Sequence, residues 1–134
     1  NVRKLFAGTE SRIGGKPVGG RPSYHLGNPV ARRIAALSAL VAKHPALRDG
    51  AQITRFTGSG SAGGVFAVSR VDAARRVEYV VAFNNGASAR AVPVPTSSPR
   101  TRFSTLWPTV GRGSLSNSAG LLRVAVPARG EQIL

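Results

Sequence analysis

The sequence predicts a mainly β protein: an antiparallel β-sandwich of Greek-key type, preceded by a loop-rich segment and one amphipathic helix. Three observations carry this. After Gly50 the apolar residues fall in short β-rich segments parted by Gly, Asn, Ser and Pro turns. Before Gly50 a single helical stripe stands out, and ahead of that stripe the chain is rich in glycine. With 134 residues and 42% hydrophobic content, there is enough apolar surface for one modest core.

The first 27 residues contain Gly14-Gly15-Lys16-Pro17 and Gly19-Gly20-Arg21-Pro22, which is loop chemistry, with at most a short strand at Leu5-Phe6-Ala7. Asn28-Pro29 opens the helix. An Asn cap precedes a Pro at the first helical position, where the missing N–H leaves no bond unmade. Val30, Ile34, Leu37 and Val41 then form one apolar stripe, widened by Leu40. His44 precedes Pro45 and is biased away from helical backbone, so the helix stops there and Leu47 folds back under its last turn.

Beyond Gly50 the period changes to that of strands. Ala51–Phe56 and Val65–Arg70 flank a Gly/Ser loop and read as a hairpin. Val77–Phe83 is apolar on nearly every residue and should be central, and Asn84-Asn85-Gly86 is a hairpin signal that turns it back. Ala89–Val94 carries Pro93 near its end and suits an edge. Arg102–Trp107 is a further strand, Thr109–Gly120 a loop, and Leu121–Val126 and Glu131–Leu134 complete a set of seven strands.

Composition excludes several kinds of chemistry. No stretch approaches the ~18 apolar residues of a membrane span, and the first eight residues lack the apolar run of a signal peptide. Cysteine is absent, so a disulfide framework, a thiolate metal site and a cysteine nucleophile are all excluded. The net charge of +14 invites a nucleic-acid reading. The cations are spread along the chain, however, with Arg32-Arg33 and Arg75-Arg76 as the adjacent pairs, and this fits a solvated surface or one facing an acidic neighbour.

Motifs that could carry chemistry fail on context. Gly58-Ser59-Gly60-Ser61-Ala62-Gly63 spells a dinucleotide fingerprint but leads into a strand, where phosphate binding needs a helix N-terminus. His25 and His44 are the two histidines, too few for zinc without scattered carboxylates. His44 and Asp49 could be written into a serine triad, yet no G-x-S-x-G elbow presents the serine. Asp72, Glu78 and Glu131 lie in no cleft motif that would pair carboxylates across a glycosidic bond. Trp107, Tyr79 and Phe103 could stack on a sugar or a base, although Tyr79 and Phe103 sit in strand patterns and read as core.

Residues Ile34 to Gly50, ending in His44-Pro45-Ala46-Leu47-Arg48-Asp49-Gly50, resemble the last barrel helix of the α-amylase family (glycoside hydrolase family 13) and its exit into the C-terminal sandwich. Val65–Arg70, Val80–Asn85 and Gly120–Ala128 are similar to later strands and turns of that family. Leu5-Phe6-Ala7-Gly8-Thr9-Glu10 resembles the end of the eighth barrel strand. The resemblance implies that residues 1–48 are the end of a (β/α)8 catalytic barrel (last strand end, loop, last helix), and 49–134 the C-terminal β-sandwich domain.

It further implies that the catalytic carboxylates come from earlier barrel strands, so none is assigned here. Glu10, Arg21, Tyr24 and His25 are the expected substrate rim, and Trp107 a sugar-stacking residue. No metal or cofactor is expected in this chain, with room for calcium elsewhere in the parent enzyme. Its partners would be the rest of the barrel and the parent's α-glucan substrate, with no membrane or nucleic acid, and the setting would be extracellular where the parent is a secreted amylase. Two other readings remain: a stand-alone carbohydrate- or protein-binding sandwich, and a basic nucleic-acid-binding protein.

Overall fold

The computed structural model describes residues 11–13, 16–18, 29–58 and 64–134. The chain divides into two compact units, Asn1–Ala42 and Lys43–Leu134. In the first, β1 (Ser11–Ile13) pairs antiparallel with β2 (Lys16–Val18), Ser11 lying opposite Val18. The expectation of plain loop from 11 onward is therefore corrected. The expected strand at Leu5–Ala7 lies outside the described residues.

Helix α1 (Pro29–Lys43) begins and ends where the Pro29 and His44-Pro45 signals place it, with Lys43 in its last turn complementing the helix dipole. None of its residues is buried. Val30 and Ile34 are 64% and 60% exposed, while Leu37, Leu40 and Val41 are half-buried.

In the second unit Leu47 does more than fold back: Ala46–Asp49 closes one helical turn, α2, with Gly50 N–H donating to Ala46 O at 3.0 Å. Ala46 is buried. A Cβ on Gly50 would lie 2.6 Å from Ala46 O and 3.1 Å from the Val71 backbone, so glycine is required here by close approach rather than by its dihedrals.

The predicted antiparallel sandwich is present. One layer is a four-stranded sheet in the order β10-β5-β4-β3, built from β3 (Ala51–Thr57), β4 (Val65–Asp72), β5 (Val77–Asn84) and β10 (Gly130–Ile133). The other holds two pairs, β6 (Arg90–Pro95) with β9 (Leu121–Val126), and β7 (Arg102–Thr105) with β8 (Gly111–Leu115). Alternation along each strand sends Val65, Ala67, Val80 and Ala82 inward to meet Val94, Phe103, Leu122, Val124 and Val126 in one core. The apolar β5 is central, as its sequence indicated, and Pro93 lies on β6, which pairs with β9 alone among the described strands.

Two expectations fail for physical reasons. Thr109–Gly120 is not all loop, because β8 runs through it. The second of its two glycines is a packing requirement: a Cβ on Gly113 would fall 1.4 Å from Phe103 O, beside the register shift between Phe103 and Thr105. Asn85-Gly86 does not make a hairpin either. β5 pairs with β4 and β10, and after the turn the chain crosses to the other layer as β6. The turn is held by the Asn84 side chain, and Gly86 O accepts from Arg129 N–H at 3.0 Å, so the dipeptide serves an inter-layer arch.

Candidate functional site

The inward row of β5 reads Glu78, Val80, Ala82, Asn84, two apolar residues between two polar ones. Each polar end is a clamp. The Glu78 side chain is 3% exposed and its carboxylate accepts from Arg55 Nη2 at 2.9 Å, Ser69 Oγ at 2.6 Å, Ser98 Oγ at 2.8 Å and Ser97 N–H at 2.9 Å. Arg55 also donates from Nε to Ser69 Oγ at 2.8 Å and from Nη2 to Ser97 Oγ. It can reach inward because it is the extra residue of a bulge: Thr54 lies opposite Val68 and Phe56 opposite Ala67, leaving Arg55 unpaired in the ladder. Burying this charge is tolerable because it is paired and every oxygen is hydrogen-bonded.

At the other end Asn84 is 3% exposed. Its Nδ2 donates to Ser88 O at 2.9 Å and Pro127 O at 3.0 Å, and its Oδ1 accepts from Gly86 N–H at 2.9 Å. One side chain thus closes its own turn and fastens it to the segment after β9.

Beside the Glu78 clamp lies a cleft of about 460 Å³ whose walls include Asp72, Arg76, Ser97, Ser98 and Thr101. Asp72 is drawn into the β4–β5 turn, accepting from Arg75 N–H at 3.0 Å and Arg75 Nη1 at 2.6 Å. Those hydrogen bonds, the backbone one first, hold its carboxyl below the usual aspartate range. Both acids of this wall are therefore engaged in holding the fold.

The groups that a triad would need are occupied elsewhere. His44 Nδ1 lies 2.9 Å from Tyr79 Oη, with the rings edge to face at 5.4 Å. Burial raises the Tyr79 phenol, which keeps its proton. Asp49 accepts two bonds from Arg48, at 2.7 and 2.8 Å, and the first of these influences lowers its carboxyl. The Gly58–Gly63 motif leads into β4, with Gly58 N–H donating to Val65 O at 2.7 Å. That is the closure of a hairpin.

Trp107 follows β7 and forms a bridge to Ile133, extending the sheet beyond β10. Its Nε1 donates to Glu131 Oε1 at 2.7 Å, and the bond to Pro108 is cis. Phe103 is a core residue at 5% exposure. Glu10, Arg21, Tyr24 and His25 lie outside the described residues. Among the described residues no three His, Asp or Glu side chains gather into a metal cluster, and no helix is long and apolar enough to cross a membrane.

Sequence reasoning missed both clamps, although a signal existed. Glu78 and Asn84 share the parity of Val80 and Ala82 on an inward strand face, where a polar residue must find partners.

No family model matches the chain. It is 37% identical over 112 residues to an alpha-amylase from Streptomyces lividans, a match covering 84% of this chain and 12% of the relative. The sequence is amylase-related. The chain spans about one eighth of that relative's length, so the correspondence is to a part of a larger enzyme. The similarity favours neither the stand-alone module nor the nucleic-acid binder.

Proposed function

We propose that these residues are the C-terminal portion of an amylase-type glycoside hydrolase acting on α-glucans, with the sandwich bracing the catalytic barrel and no catalytic carboxylate of its own. The carrying observation is the coverage: most of this chain matches, and it matches a small part of an alpha-amylase. The site geometry supports a bracing role, because Glu78 and Asp72 are consumed in holding loops. In this reading residues 1–48 finish the barrel, and Glu10, Arg21, Tyr24 and His25 line the substrate rim. Calcium, where the parent binds it, lies outside this chain, and the enzyme works outside the cell.

The test is release of reducing ends from soluble starch by the encoded polypeptide that contains this chain. Hydrolysis is expected from that polypeptide and not from residues 1–134 alone. Leu122→Ala should shorten its half-life on heating while leaving KM unchanged, because Leu122 is fully buried in the core. Starch hydrolysis by residues 1–134 alone would overturn the proposal, as would an inert parent.

A further inference from the structure

An Asn-Gly pair is able to react with itself. Glycine has no Cβ to hinder approach, so its backbone nitrogen can attack the side-chain amide carbon of the asparagine before it. In this chain the pair is Asn85-Gly86, at the arch that carries β5 across to β6. Its two members sit in opposite settings, Asn85 exposed and Gly86 buried. The Asn85 Oδ1 accepts from Gly64 N–H at 2.8 Å, and a donor on that oxygen stabilises the negative charge that builds there during attack. The nucleophile is covered instead. Gly86 N–H donates to Asn84 Oδ1 at 2.9 Å in a buried bond, so the proton that must leave before attack is held away from base. Asn84 is itself 3% exposed and fixed by its donations to Ser88 O and Pro127 O.

The geometry points to Asn85 as a modification site that Asn84 holds latent. Once the bond to Asn84 opens, the Gly86 nitrogen loses its proton to hydroxide and attacks Asn85 Cγ. The new N–Cγ bond closes a cyclic succinimide, the Cγ–Nδ2 bond breaks, and Nδ2 takes up a proton and leaves as ammonia. Water then adds to one of the two ring carbonyls and leaves aspartate or isoaspartate at position 85. Both products carry a negative charge where a neutral amide stood. The isoaspartyl product also adds a methylene to the main chain just ahead of Gly86. That displaces a residue whose O accepts from Arg129 N–H at 3.0 Å and whose N–H closes on Asn84, so the tie between the arch and the turn after β9 is what fails. The Asn84 clamp thus preserves the covalent chemistry of the turn as well as its shape.

Peptide mapping by mass spectrometry tests this on the encoded polypeptide that contains the chain, incubated at mildly alkaline pH. Trypsin releases residues 77–90 with both asparagines, and fragmentation assigns the loss of ammonia and the later net gain of one mass unit to Asn84 or Asn85. Asn117, followed by Ser118 and accepting from Ala119 and Leu121 N–H, is the internal control. Conversion at Asn85 should be slow in the folded parent and rapid in urea. In folded Asn84→Ala it should rise about tenfold, the rate equivalent of one buried hydrogen bond, with Asn117 unchanged. Equal conversion in folded Asn84→Ala and the parent overturns the guarding role, as does a rise shared by Asn117. An Asn85 that stays unchanged in urea overturns the site. Where Asn84→Ala does not fold, hydrogen exchange of the Gly86 amide in the parent decides. Conversion should then rise in step with that exchange across a urea series, and conversion that rises while the amide stays protected overturns the proposal.

Discussion

Glu78 places a carboxylate where water does not reach, and its cost is offset by one guanidinium, two hydroxyls and a backbone N–H. Removing the acid leaves Arg55 charged and half-enclosed. Glu78→Ala should therefore cost about 3 kcal/mol in urea unfolding, and the double variant Arg55→Met/Glu78→Leu should recover much of the loss, because an apolar pair avoids the desolvation of both charges. Equal stability of Glu78→Ala and the parent chain would show that the clamp is ornamental. Asn84→Ala leaves carbonyls of Ser88 and Pro127 without their donor and should cost about 2 kcal/mol. Asp72 behaves differently because its charge partner, Arg75, is largely exposed. Its folded carboxyl is held low by Arg75, so it binds fewer protons folded than unfolded, and its contribution is present above the ordinary aspartate range and lost as pH falls through the lowered value. The melting temperature should fall on acidification below about pH 4, and Asp72→Asn should flatten part of that slope.

At the scale of elements, the helix and most strands were legible because each rests on a local rule. Pro29 and Pro45 bracket α1, and runs rich in β-branched and apolar residues mark β4, β5 and β9. What escaped was tertiary in origin. Gly113 looked like loop composition but is glycine because the Phe103 carbonyl passes through the space of a Cβ. Asn85-Gly86 carried a true turn signal, but the turn's partner was decided by β10, whose claim on β5 comes from some fifty residues away and leaves no mark near the turn. The clamps were likewise hidden, since Ser97 and Ser98 have no periodic relation to Glu78. Gly50 is the informative exception, part of a recognisable run and now explained by the Ala46 and Val71 backbones pressed against it. Gly50→Ala should cost about 2 kcal/mol by forcing α2 off β4, measurable in the same unfolding experiment. For α1, Ile34→Ser should leave the melting of residues 1–134 within about 0.5 kcal/mol, as for exposed positions generally.

For the whole molecule, the net charge of +14 sits beside a fold whose described acids are already bonded to neighbouring side chains. A surface of this kind resists self-association and suits contact with an acidic partner surface. The sandwich itself is completed late along the chain. β10 supplies the free edge of β5, and Leu134 exchanges both backbone bonds with Val80 at 2.9 Å while burying its side chain in the core. During synthesis, then, the four-stranded sheet stays one strand short until residues 130–134 clear the ribosome, and β5 travels with an open edge that could pair with a neighbouring chain.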